Sequence, residues 1–106
     1  MQSIIITGTL LEDAEPGQDK NGLNFTRFTV TCGETGANER AYFTHYKCTC
    51  YLKGYDNLKK KDQVTVTGKV TIRISKTKDT NEPYLNINVL VHSISRGYTA
   101  EERKKR

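Results

Sequence analysis

Two cysteines one residue apart, Cys48 and Cys50, lie in the stretch FTHYKCTCYLKGYDN (residues 43–57), beside His45, Lys47 and Tyr51. Thiols and an imidazole at this density could hold a metal, pass electrons or attack a substrate. A zinc site needs four converging ligands. Only Cys32 and either His45 or His92 could complete one, and the chain has no C-x2-C knuckle. A redox pair fits no better, because side chains flanking one strand residue point the same way but diverge in reach. A nucleophile and its base would have to be built from Cys32, Cys48 or Cys50 with His45 or His92, and none sits in a recognised local motif. GETG and GQDKNG lack the lysine and the strand-to-helix context of a phosphate-binding loop. The residues therefore predict no catalytic centre, no metal and no cofactor. The cysteines read as small core hydrophobes.

The same stretch makes another kind of chemistry available when it is read as a strand. Successive side chains of a strand point to opposite faces. Tyr42, Thr44, Tyr46, Cys48, Cys50 and Leu52 then share one face, ending small and apolar, while Phe43, His45, Lys47, Thr49 and Tyr51 share the other. Adjacent strands would add Arg27 and Thr29, then Lys69, Thr71 and Arg73. Rings stack on bases whatever their identity, and cations track phosphates, which is a recipe for gripping single-stranded nucleic acid without sequence preference. A duplex hides its base faces and gives such rings nothing to stack on. The competing reading is that an exposed ring beside threonine only stabilises the sheet by cross-strand pairing. Parity alone leaves both open.

The elements that must position these residues are strands. VTVTGKVTIRI (residues 64–74) puts Val64, Val66, Gly68, Val70, Ile72 and Ile74 inward, and Thr65, Thr67, Lys69, Thr71 and Arg73 outward. YLNINVLV (residues 84–91) puts Leu85, Ile87, Val89 and Val91 inward, and FTRFTVTC (residues 25–32) does the same with Phe28, Val30 and Cys32. The first strand, residues 3–11, is apolar on both faces, with Gly8 as a bend or bulge. Residues 12–22 and 33–40 read as loops, and KTKDTNEP (residues 76–83) as a hairpin connection. KGYDNLKKKDQ suits one or two helical turns centred on residues 57–61. Five strands with a short helical connection between the third and fourth predict an all-β, five-stranded Greek-key barrel of the OB type. A half-open sandwich, or a barrel of another strand order, would give a similar pattern.

The chain has 106 residues, enough for one domain with a small core and no staples. The expected division is a folded domain over 1–96 and a basic tail over 97–106. Net charge is +5, unevenly spread: residues 1–39 carry two basic and six acidic side chains, whereas residues 40–78 carry ten basic ones against Asp56 and Asp62. Such polarity predicts one basic side and a polyanionic partner, or else merely a solvated surface. Three cysteines argue against a disulfide framework. No run is apolar enough to cross a bilayer, and MQSIIITG lacks the form of a signal peptide, so a soluble cytoplasmic protein is expected.

Several stretches resemble the bacterial single-stranded DNA-binding protein family over roughly residues 3–95. IIITGTLLEDAE resembles its first strand, with Thr9 where the family has Asn; NFTRFTVTC resembles the second. LKKKDQVTVTGKVTIR (residues 58–73) is the closest match, and EPYLNINVLV resembles the fifth strand. The resemblance implies the OB barrel, no enzymatic activity, and the coating of exposed single strands in replication, repair or recombination. It implies stacking positions on Tyr51 and near Gly36, His45 and Ser75. Family members usually end in an acidic tip, whereas this chain ends in EERKKR. In that respect it resembles primosomal replication protein B, a dimeric relative active in replication restart. The residues expected to contact nucleic acid are Arg27, Phe43, His45, Lys47, Tyr51, Tyr55, Lys69, Arg73, Lys76 and Tyr84. The expected partners are single-stranded DNA, or RNA, and replication proteins. A homodimer or homotetramer associated with the nucleoid is expected. The alternative function is a protein-interaction subunit of a primosome or mobile-element complex.

Overall fold

Alternating apolar and polar residues dictate strands wherever one face can be buried. The computed structural model describes residues 2–35 and 41–97. It contains six strands: β1 (Ser3–Leu10), β2 (Glu15–Gln18), β3 (Asn24–Thr35), β4 (Ala41–Cys50), β5 (Gln63–Lys76) and β6 (Pro83–Arg96). They form one sheet in the order β1-β5-β6-β4-β3-β2. β1 also pairs with β3 through Thr9–Thr31 and Leu10–Val30, which closes the sheet into a ring. All pairings are antiparallel except β4 with β6, which run parallel at Lys47–Asn88, Cys48–Val89 and Thr49–Leu90.

The ring's interior collects the residues that parity assigns to it. Ile6, Leu10, Phe28, Val30, Cys48, Cys50, Leu58, Val64, Val66, Val89 and Val91 form a single core cluster. Cys48 and Cys50 are fully buried. Burial pushes the Cys48 thiol up to about 12, and the neighbouring Cys32 and Cys50 add to the effect. The thiolate is the form that binds metals and attacks disulfides, so Cys48 is chemically quiet at neutral pH. Among the described residues no three His, Cys, Asp or Glu side chains group to hold a metal.

Two glycines let strands approach closely. A Cβ on Gly8 would overlap the Thr31 carbonyl, and one on Gly68 would overlap that of Leu90. The first contact lies where β1 bends towards β3. The second adjoins the register shift between Thr67 and Gly68, where β6 carries an extra residue.

Four sequence expectations are corrected. The expected loop at residues 12–22 contains β2, which pairs with β3 from Glu15–Arg27 to Gln18–Asn24, so there are six strands and not five. The expected helical turns at residues 57–61 are absent, and the segment is a run of turns. Its backbone groups are claimed elsewhere: Lys61 N donates to Leu10 O, Ala14 N to Leu58 O and Leu10 N to Asp62 O. Lys60 N donates to the Asp13 carboxylate and Lys59 N to that of Asp62. Lys61 also sits at φ 70°, in the left-handed region, which stops a right-handed turn from propagating. The third correction concerns Leu52, read as inward but exposed in the turn after β4.

The fourth concerns Ile72, Ile74 and Leu85, expected inward but 53%, 75% and 63% exposed. β1 covers β5 only as far as Lys69, and β4 reaches β6 only over residues 88–90. Beyond Val70 the β5–β6 hairpin therefore runs on as a two-stranded arm, and among the described residues no strand lies across from its apolar face. Its tip is a hydrogen-bonded turn: Asn81 N donates to Thr77 O and Thr77 N to Glu82 O, with Asn81 at φ 59°. The tail over 98–106 and the segment 36–40, which includes the expected stacking position near Gly36, lie outside the described residues.

Candidate nucleic-acid interface

Residues that pair across neighbouring strands project from the same face. That rule assembles one wall from β5, β6, β4 and β3. Lys69 pairs with Leu90, Leu90 with Thr49, and Thr49 with Arg27. The next row is Thr71, Asn88, Lys47 and Thr29. Further along, Arg73 pairs with Asn86 and His45 with Thr31. The far row holds Tyr84, paired with Ser75, and Phe43, paired with Gly33. Arg27, His45, Lys47, Lys69, Arg73, Phe43, Tyr51 and Tyr84 are all solvent-exposed.

The wall is electrostatically one-sided. Lys47, Lys69 and Arg73 form no ion pair among the described residues, so their charges remain available. The acids stand at one edge: Glu15 pairs with Arg27 across β2 and β3, and Asp19 lies in the turn beyond β2. His45 is oriented by a 3.0 Å contact between its Nδ1 and Thr31 Oγ1.

The rings have defined seats. Phe43 lies against Gly33, and Phe25 lies against Gly17, where a Cβ would collide with the ring. The Arg27 guanidinium sits over Phe25, 5.3 Å from its centroid. Tyr51 meets Phe25 edge-on, with centroids 5.8 Å apart and planes at 69°. The Tyr51 hydroxyl donates to Asp19 Oδ2 at 3.2 Å. Desolvation first, and then the hydrogen bond to Asp19 and its charge, hold the Tyr51 phenol above the usual tyrosine range.

Tyr51 stands between two depressions. An open cleft of about 690 Å³ is lined by Pro16, Leu23, Phe25, Tyr51, Leu52 and Lys53 among others. A shallower one of about 290 Å³ lies on the wall itself, lined by Thr49, Tyr51, Lys69, Thr71, Asn88 and Leu90 among others. A flat ring flanked by two hollows can be stacked upon without first clearing other side chains away.

Two expected site residues lie elsewhere. Tyr55 packs against the core at the end of the ring. Its hydroxyl donates to Ile94 O, and Arg96 lies over its ring at 5.3 Å. Arg96 in turn donates to Gly54 O and Asn57 Oδ1, so this cluster fastens the connector after β4. Lys76 pairs with Pro83 at the arm's end, on the face opposite Arg73. Phe25 is the residue that the sequence reading missed. Its parity matches Arg27, which was the available signal, but its place at the start of β3 gave no hint that Tyr51 would meet it.

No family model matches the sequence, and no curated protein matches it in sequence. Solved structures do match in fold. One is a small single-stranded DNA-binding protein from Streptomyces coelicolor, with a TM-score of 0.69, 14% identity, and coverage of 91% of this chain and 94% of that one. Another is the Plasmodium falciparum SSB in complex with ssDNA, with a TM-score of 0.68, 13% identity, and coverage of 92% and 96%. At these identities the likeness is one of fold: over nearly its whole length, the chain is built like single-stranded DNA-binding proteins.

Proposed function

We propose that the protein binds single-stranded DNA, without enzymatic activity and without strong sequence preference. The observation that carries this reading is the wall itself, where Lys47, Lys69 and Arg73 project beside exposed rings on one face. Lys47 on β4 and Lys69 on β5 share this face two strands apart, with β6 between them. That is about 10 Å at the usual strand spacing, and such a row of cations can follow a backbone. Rings between them can take unstacked bases. Two solved structures of the same fold belong to proteins named for single-stranded DNA, one of them with the DNA bound. The role that follows is protection of exposed strands during replication, repair or recombination in the cytoplasm, at the nucleoid. RNA fits the same chemistry, because stacking and phosphate contacts do not read the sugar.

A competition titration tests this. Labelled oligo-dT should bind, and unlabelled single strands should displace it at far lower concentration than duplex of equal length. Equal displacement by duplex would contradict the reading.

One observation favours a second role. The arm exposes Ile72, Ile74 and Leu85 on one face, and exposed apolar surface of this kind marks protein contacts. A subunit of a replication-restart or mobile-element complex would use it so. A homo-oligomer also fits, since Ile5 is 72% exposed on β1, whose start pairs with β5 alone. A sedimentation mass of one subunit would contradict that.

A further inference from the structure

Asp19 is out of place on a surface built for a polyanion. A carboxylate near the strand's path repels phosphates, so electrostatics alone would leave it out. Its contacts supply a reason for it. One oxygen, Oδ1, accepts from Asn21 N and from Leu23 N, each at 2.9 Å. The Asp19 backbone closes the same turn, with its N donating to Leu23 O and its O accepting from Gly22 N. The other oxygen, Oδ2, accepts the Tyr51 hydroxyl. One side chain thus ties the β2–β3 turn, which forms one side of the 690 Å³ cleft, to the ring that forms another.

The consequence is preorganisation. Tyr51 follows the last residue of β4 and is 42% exposed, so without a tether its ring would sample several rotamers. Phe25, the only ring that touches it among the described residues, meets it edge-on, packs against Gly17 and already carries Arg27 over its own ring. Tyr51 is therefore the ring left to receive a base, and its pose is set by the hydroxyl. Leu23 and Leu52, both exposed beside it, offer apolar surface to a second edge of the same base, and the cleft's lining carries both Lys53 and Asp56.

We propose that Asp19 is a positioning residue: by holding the Tyr51 hydroxyl from the β2–β3 turn, it fixes this ring, at the edge of the cleft, for the base that stacks on it. The inference rests on the single-strand reading above, takes from it the base stacked on Tyr51, and adds a residue that acts through that ring. Freezing a rotamer-rich side chain in advance is worth roughly 3- to 10-fold in affinity.

The test is a double-mutant cycle read by fluorescein-labelled oligo-dT binding, at a salt concentration high enough to screen the charge of Asp19. Tyr51→Phe keeps the ring and removes only the hydroxyl. It should lose about 3- to 10-fold. Asp19→Ala should lose a similar factor, and the double variant Asp19→Ala/Tyr51→Phe should lose no more than either alone. Asp19→Asn retains a side-chain hydrogen bond to the tyrosine and should recover most of the loss. If Asp19 only held its own turn together, Tyr51→Phe would bind like the unaltered protein and the losses would add; either result overturns the inference while leaving the single-strand reading intact. Failure of the unaltered protein to bind oligo-dT at all would overturn the reading, and the inference with it.

Discussion

Replacing Tyr51 by alanine is expected to weaken binding of oligo-dT about 10- to 100-fold, with little change in thermal stability. A stacked base contributes about 1–3 kcal/mol by alanine substitution, and every 1.4 kcal/mol is tenfold in affinity. The ring is 42% exposed and lies outside the core cluster, so its removal opens no cavity. Phe25→Ala should also weaken binding, by less, because Phe25 acts mainly as the surface against which Tyr51 is set. The two effects should not add: residues in contact typically couple by 0.5–3 kcal/mol. Titrations of the two single variants and the double variant, with melting curves alongside, check all three statements. Unchanged affinity in Tyr51→Ala would remove the stacking half of the mechanism.

A large effect of another kind is expected at Leu58. Leu58→Ala should cost about 2–5 kcal/mol, the usual range for truncating a buried leucine, and lower the melting temperature by roughly 10–25 °C in a domain of this size. Leu58 is 1% exposed and is the only residue of the connector in the core cluster. No helix holds that connector. It is fixed by Leu58, by the Asp62 carboxylate on Lys59 N, by bonds to the end of β1, and by the Tyr55–Arg96 cluster at its start. Loosening it would also free the turn that carries Lys53 and Tyr51 at its start, so affinity should fall modestly with stability. A circular-dichroism melt within about 3 °C of the unaltered protein would show that the connector is held by something else.

How much of this was legible beforehand depends on what period two can express. Parity gave the two faces of residues 43–51 correctly, from the buried Cys48 and Cys50 to the exposed Lys47, because alternation is a property of each strand alone. It also put Arg27, Lys47, Lys69 and Arg73 on one face, although β5 is not adjacent to β4 as expected: β6 lies between them and keeps the same parity. It failed where burial depends on a partner strand. Ile72, Ile74 and Leu85 alternate like core residues, yet no strand among the described residues lies across from them, because β1 and β4 end too soon. β2 was invisible because EPGQ carries a proline and a glycine and no apolar alternation. Its pairing depends on β3 offering an edge, and Gly17 is there to admit the Phe25 ring. KGYDNLKKKDQ had the length for one or two helical turns, but bonds to Leu10, Asp13 and Asp62 won that segment for turns. Tyr55 looked like a surface ring in the sequence, whereas contacts to Ile94 and Arg96, some forty residues away, draw it to the core.

The measurement closest to the central claim is the salt dependence of oligo-dT affinity in the unaltered protein and in a variant with Lys47, Lys69 and Arg73 all changed to glutamine. For single strands, log K falls against log salt with a slope of about −0.7 per phosphate neutralised. If these three side chains form one cationic track along a strand of DNA, the variant should bind more weakly at low salt, and its slope should be shallower by about 2. An identical slope in the two proteins would mean that the wall does not meet the phosphates.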